Sequence, residues 1–271
     1  MSEQTQQVDP SKQGVVYRLP RADAASVRRD LEFRGSDSGA LALDIYRPPD
    51  SADEARHPAV VFVSGYPDPG FEAMVGCKFK EMEAYVSWGR LTAASGLAAI
   101  TYTNTEPTAD LHALLQHVRE NAASLGVDES RIGVWACSGN VPNALSLLMG
   151  EQRDPLRCAV LCYGYMLDLA GSTAVAEASK SFGFANPCAG RSVDELAEDV
   201  PLFIAKAGRD EMPGLNGAID RFVGEARTRN LPVTFVNHPS GPHAFDLMHD
   251  SETSREIIRQ ILAFMRLHLL G

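Results

Sequence analysis

Positive charge is scarce in this chain: 25 lysines and arginines stand against 35 aspartates and glutamates, a formal net charge of −10 over 271 residues. Neutralising phosphates requires clustered Lys and Arg, and no basic stripe or nucleic-acid motif occurs, so nucleic acid is excluded as a partner. Long apolar runs are missing too. None approaches the roughly 18 residues that a bilayer-spanning helix needs, and no membrane association is expected. The opening MSEQTQQVDPSKQG has no apolar core and does not read as a secretory signal peptide. The five cysteines (Cys77, Cys137, Cys158, Cys162, Cys188) include no Cys-x-x-Cys pair, so neither a disulfide framework nor a redox motif is indicated. A reducing, cytoplasmic setting is expected, with Cys158 and Cys162 as buried thiols on one strand face. His-Glu-x-x-His is absent, and His112 and His117 are five apart on a predicted helix where a shared metal needs four, so no metal is expected. With neither a P-loop nor Gly-x-Gly-x-x-Gly, no nucleotide cofactor is expected either.

What is present is an ordinary globular balance, 45% apolar and 22% charged, arranged as alternating strand and helix patterns. Residues 1–28 read as a polar leader or arm. "RRDLEFRG" and "GALALDIYRPP" flank the turn signal "GSDSG" and predict an antiparallel hairpin. "PAVVFVSG", "LAAITYT", "RIGVWACS", "CAVLCYGYM", "VPLFIAKAG" and "PVTFVNHP" are strand-like runs separated by helical patterns, among them "ADLHALLQHVRENAASLG". Such alternation predicts one α/β domain over 29–271, a mostly parallel sheet with helices on both faces. The long irregular connection at 167–198 predicts a small cap-like insert over the carboxyl edge of the sheet, where open α/β sheets bind ligands.

Three chemically capable residues fall just past three predicted strands: Ser138 after "IGVWAC", Asp210 after "LFIAKAGR" and His243 after "VTFVNHPSGP". A serine hydroxyl becomes a nucleophile when an imidazole takes its proton, and the imidazole needs a carboxylate to fix its tautomer. The order Ser, Asp, His is that of the α/β-hydrolases. Each residue also has a plainer reading. Ser138 would serve in any tight Gly-containing turn, Asp210 would cap a helix, and His238 or His249 could stand in for His243.

The sequence around Ser138, "WACSGN", departs from Gly-x-Ser-x-Gly at both flanks, with Ala136 and Asn140 where glycines are expected. The elbow requires small residues; Ala136 adds one methyl, whereas Asn140 tolerates left-handed dihedrals but brings a side chain. The backbone N–H of Gly139 is one candidate oxyanion donor. The other is the N–H of Tyr66, in the "SGYPDPG" loop after "AVVFV".

On "LALDIYRPP", "FVSGY", "YVSWGRLTAASGLAAITY", "IGVWACSGN", "CYGYM", "AGRDEMP" and "HPSGPHAFD", residues 29–271 resemble the α/β-hydrolase superfamily, within it the dienelactone-hydrolase-like and small carboxylesterase branch. Dienelactone hydrolases carry a cysteine nucleophile, whereas the nucleophile position here is serine and Cys137 is one residue off. The resemblance implies a serine hydrolase cleaving small carboxylic esters through an acyl-enzyme on Ser138. His243 would act as base and then acid, Asp210 as its orienting partner, and Gly139 and Tyr66 as oxyanion donors. Tyr66, Tyr163, Phe182 and Phe184 are candidates to line the pocket or to pack in the core. Thioesterase, peptidase and acyltransferase chemistry use the same three residues, and a catalytically silent fold that binds a small ligand is the alternative from another class. The leader and the final helix are the segments that would serve a homodimer.

Overall fold

The computed structural model describes residues 10–36, 39–52, 54–149 and 155–271. Residues 1–9 of the expected leader and the tip of the "GSDSG" turn, 37–38, lie outside them. The chain begins its sheet with β1 (Ser26–Ser36) and β2 (Gly39–Arg47), an antiparallel pair as expected. β3 (His57–Phe62) then leads into two helices, α1 (Asp68–Val75) and α2 (Glu83–Ala94), followed by β4 (Ala98–Tyr102). Helices α3 (Pro107–Glu120) and α4 (Ala122–Leu125) precede β5 (Val127–Cys137), which is followed by α5 (Val141–Ser146) and β6 (Ala159–Cys162). Then come α6 (Ala174–Phe182), β7 (Leu202–Ala207), α7 (Leu215–Thr228), β8 (Val233–His238), α8 (Phe245–Met248) and α9 (Glu252–Leu270).

The strands form one sheet in the order β1-β2-β4-β3-β5-β6-β7-β8, parallel from β4 to β8. Because successive side chains on a strand face opposite ways, each central strand feeds two cores. Ala59, Val61 and Val63 enter one, with Leu111, Leu114 and Leu115 of α3 and Phe222 of α7. Val60 and Phe62 enter the other, with Trp88 of α2 and Ile258, Ile261 and Met265 of α9. This explains why the parallel strands read as continuous apolar runs: both faces are covered.

Two features differ from expectation. Helix α1 was not visible in the sequence, because Pro67, Pro69 and Gly70 give its start the look of a turn. Proline is nevertheless well suited to a first helical turn, where its missing N–H is not needed. The leader also ends sooner than residue 28. β1 starts at Ser26, and the preceding segment is docked: Val15 is buried, its N–H donates to Ser87 Oγ at 3.0 Å, and Val16 N–H donates to the Asp246 carbonyl at 2.8 Å. Val15, Val16, Tyr17 and Leu19 give this stretch an apolar side that packs on the α2/α9 face.

Among the described residues, no helix is long and apolar enough to cross a membrane. An ion cluster centred on the buried pair Lys80 and Asp44 ties the hairpin to the segment before α2: Lys80 Nζ donates at 2.6 Å to both Asp44 and the exposed Asp30, and Arg29 reaches the other oxygen of Asp44 at 3.1 Å.

Candidate active site

The carboxyl ends of β5, β6, β7 and β8 lie in a row, since Cys137 of β5 pairs with Cys162 of β6, Cys162 with Ala205 of β7, and Ala207 of β7 with His238 of β8. Loops leaving these ends bring the three candidate residues together. Ser138 sits between β5 and α5 with φ of 54°, a left-handed conformation that a non-glycine residue adopts only where the surroundings hold it. His243 Nε2 lies 2.9 Å from Ser138 Oγ, and His243 Nδ1 lies 2.7 Å from Asp210 Oδ2. The Asp210 side chain is fully buried, and its other oxygen accepts the Met212 N–H at 2.9 Å. His243 is 30% exposed, open on the side facing the cavity.

The two other histidines that sequence reading left open go elsewhere. His238 is buried at the end of β8, its Nε2 3.0 Å from Ser254 Oγ, and His249 lies against it.

Asn140 has a function that the glycine it replaces would lack. Its side chain is 2% exposed and turned toward the loop after β3. Oδ1 accepts the Gly65 N–H at 2.7 Å, while Nδ2 donates to the Tyr85 hydroxyl at 3.0 Å. The same loop is held from two more sides: Ala185 N–H donates to the Gly65 carbonyl at 2.7 Å, and Asn143 Nδ2 donates to the Ser64 carbonyl at 2.8 Å. Gly65 has to be glycine, since a Cβ there would stand 2.8 Å from the Gly139 carbonyl. The two segments carrying the candidate oxyanion donors, Tyr66 and Gly139, are therefore in backbone contact. Gly139 is equally constrained, its missing Cβ facing the Tyr66 hydroxyl at 2.5 Å and Phe184 at 2.6 Å.

A cavity of about 350 Å³ opens beside Ser138 and His243. Tyr66 and Tyr163 line it, and Phe182 stands at its edge, 43% exposed. Phe184 does not line it; it is buried behind Gly139, stacked on Tyr165 at 5.3 Å and edge-on to Tyr66 at 5.8 Å. The reason is position: Phe182 ends α6, whereas Phe184 follows the left-handed Gly183 and turns into the core. The 167–198 segment thus contributes α6 above the site and a brace, through Ala185, to the loop after β3.

Cys137 also borders the cavity, and burial pushes its thiol up to about 12. Such a thiol stays protonated near neutral pH, which makes it a poor nucleophile. Asp246 is the residue here that sequence reading missed. It ends the quoted "HPSGPHAFD" but carried no signal of its own. Its oxygens accept the Tyr163 hydroxyl at 2.6 Å and Trp88 Nε1–H at 2.8 Å, and the Tyr163 ring stands edge-on to His243 at 5.1 Å. Burial pushes the Asp246 carboxyl above the usual carboxylate range, against the opposing effect of those two donors. Among the described residues, no group of three His, Cys, Asp or Glu side chains is placed to hold a metal ion.

The chain matches no protein-family model and no curated protein sequence. It is similar in structure to Est2, a thermophilic esterase from the Planctomycetes species Thermogutta terrifontis, at 19% identity and a TM-score of 0.66 over 93% of this chain and 94% of that one. It is also similar to an esterase from Pyrobaculum calidifontis, at 22% identity and a TM-score of 0.67 over 91% of this chain and 86% of that one. A third structure is MGS-M1, an α/β-hydrolase enzyme from a Medee basin deep-sea metagenome library, at 16% identity and a TM-score of 0.64 over 92% of this chain and 99% of that one. At these identities the likeness is one of fold: the chain has the α/β-hydrolase fold.

Proposed function

We propose that this α/β-hydrolase fold is a serine hydrolase that cleaves small carboxylic esters through an acyl-enzyme on Ser138. The observation that carries the reading is the hydrogen-bonded series from Ser138 through His243 to the buried Asp210, built from three strand ends and open to an apolar cavity. The printed names of the similar structures, two esterases and a hydrolase, support the same class of reaction.

In this proposal Ser138 Oγ attacks the ester carbonyl while its proton passes to His243 Nε2. Asp210 accepts the Nδ1–H of His243, fixing the tautomer and stabilising the imidazolium that forms. The N–H groups of Gly139 and Tyr66 receive the negative charge that develops on the carbonyl oxygen. His243 then returns the proton to the departing alcohol. Water repeats the attack on the acyl-enzyme and frees the acid and Ser138. The left-handed backbone at Ser138 lifts the hydroxyl out of the sheet edge, where both imidazole and substrate can reach it. The raised Cys137 thiol supports serine, not cysteine, as the nucleophile in this reading.

The test is hydrolysis of p-nitrophenyl acetate, butyrate and octanoate. An apolar cavity beside the nucleophile gains about 0.8 kcal/mol for each methylene it buries, close to fourfold in kcat/KM. Butyrate is therefore expected to exceed acetate by roughly tenfold or more. Folded protein that hydrolyses none of the three contradicts the reading.

A further inference from the structure

The cavity beside Ser138 is built for one kind of chemistry on nearly all sides. Tyr66, Phe71, Phe79, Tyr85, Trp88 and Trp135 form a continuous aromatic wall. Phe71 and Phe79 stack at 3.8 Å, Tyr66 stacks on Phe79 at 5.6 Å, and Tyr85 meets Phe79 edge-on at 5.4 Å and Trp135 edge-on at 6.4 Å. An incoming ring finds both faces and edges to pack against. Among the described residues, no lysine or arginine lines the cavity, and the one fixed carboxyl group is Asp246. That group is 2% exposed and is held by two neutral donors, the Tyr163 hydroxyl and the Trp88 indole N–H.

Resting on the ester-hydrolase reading, we propose that the cavity selects uncharged esters with an aromatic group and rejects esters that carry a carboxylate, Asp246 setting the sign of this selection. A carboxylate entering the cavity leaves water for an apolar environment in which no lysine or arginine meets it, and an unpaired buried charge is strongly disfavoured. It also approaches Asp246, whose two oxygens both accept hydrogen bonds, from Tyr163 and Trp88, and so present electron-rich atoms to it. A neutral ring avoids both costs and gains the aromatic contacts. A positively charged ring substituent meets the opposite sign and the faces of the aromatic wall.

The two tryptophans of the protein, Trp88 and Trp135, both line the cavity, so their fluorescence reports binding without any reaction. Three ketones that resemble aryl esters but are not cleaved serve as probes: neutral 4-methylacetophenone, anionic 4-acetylbenzoate and cationic 4-acetyl-N,N,N-trimethylanilinium. In the wild type at pH 8 the neutral ketone is expected to bind on the order of 100-fold tighter than the anion. Asp246→Asn is expected to narrow that gap by about tenfold, with a thermal melt checking that the variant is folded. If Asp246→Asn does not fold, the wild type still decides: the cation is expected to bind at least about tenfold tighter than the anion.

Anion and neutral ketone binding within about threefold of each other overturns the proposal, as does a cation bound no better than the anion. A gap that persists unchanged in folded Asp246→Asn removes Asp246 from it, and no fluorescence response to any ketone overturns it as a whole. Phenyl acetate hydrolysis by the same preparations separates the two readings. Ketone selectivity without hydrolysis leaves the selection standing and removes the esterase reading; hydrolysis without selectivity does the reverse.

Discussion

Asp210→Asn is expected to lower kcat/KM for p-nitrophenyl butyrate by about 10⁴-fold while leaving the fold intact. The substitution keeps the shape of the side chain and an oxygen to accept the Met212 N–H, which now bonds to Asp210 Oδ1 at 2.9 Å. What it loses is the acceptor 2.7 Å from His243 Nδ1. With its oxygen kept on the Met212 N–H, the amide presents its NH2 to Nδ1, and the imidazole then carries its proton on Nε2, facing Ser138. In that tautomer it cannot take the serine proton. Because the Asp210 side chain is wholly buried, solvent does not supply the missing acceptor. Kinetics alongside a thermal melt check this. A loss smaller than about tenfold in protein that melts like the wild type means that Asp210 does not orient the base.

Asn140→Gly restores the residue expected at that place in the elbow and is nevertheless expected to slow the enzyme, by about 10²-fold in kcat. The motif asks for glycine there because backbones approach closely, and in this chain the close approach has passed to other positions. Gly65 abuts the Gly139 carbonyl, and Gly139 abuts Tyr66 and Phe184. With that room made elsewhere, Asn140 can fill its site and hold the loop that carries Tyr66, through the 2.7 Å bond from Gly65 N–H. Glycine at 140 leaves that N–H and the Tyr85 hydroxyl without their partner and adds backbone freedom at the start of α5. An oxyanion donor stabilises the transition state only when held where the charge develops, so the loss should fall on kcat and spare KM. Unchanged or faster turnover in Asn140→Gly would show that the loop is held by Asn143 and Ala185 without it.

The fold was legible because its signals are local. Runs such as "PAVVFV" and "RIGVWAC" are apolar at every position since both faces of β3 and β5 are covered, and the helix between β4 and β5 shows its period in Leu111, Leu114, Leu115 and Val118. Placing Ser138, Asp210 and His243 at strand ends needed only that alternation. The remainder depended on contacts between distant parts of the chain. Trp88 and Asp246 are 158 residues apart, and nothing in either segment announces their hydrogen bond. Asn140 read as a defect because its partner, Gly65, is 75 residues away. Helix α1 was hidden by residues that start a helix as readily as they make a turn. Phe182 and Phe184 differ by two positions, yet the left-handed Gly183 between them sends one to the cavity edge and the other into the core.

Everything proposed for this site turns on Ser138 as the nucleophile. Peptide mass spectrometry of the intact protein after treatment with a fluorophosphonate probe tests it most directly. Such reagents trap a serine whose proton has a base to go to, and Ser138 Oγ lies 2.9 Å from His243 Nε2. A single adduct is expected on Ser138 in the wild type, none in Ser138→Ala, with ester hydrolysis lost in step with labelling. A folded wild type that takes up no label, or one labelled elsewhere while hydrolysis continues, contradicts that role.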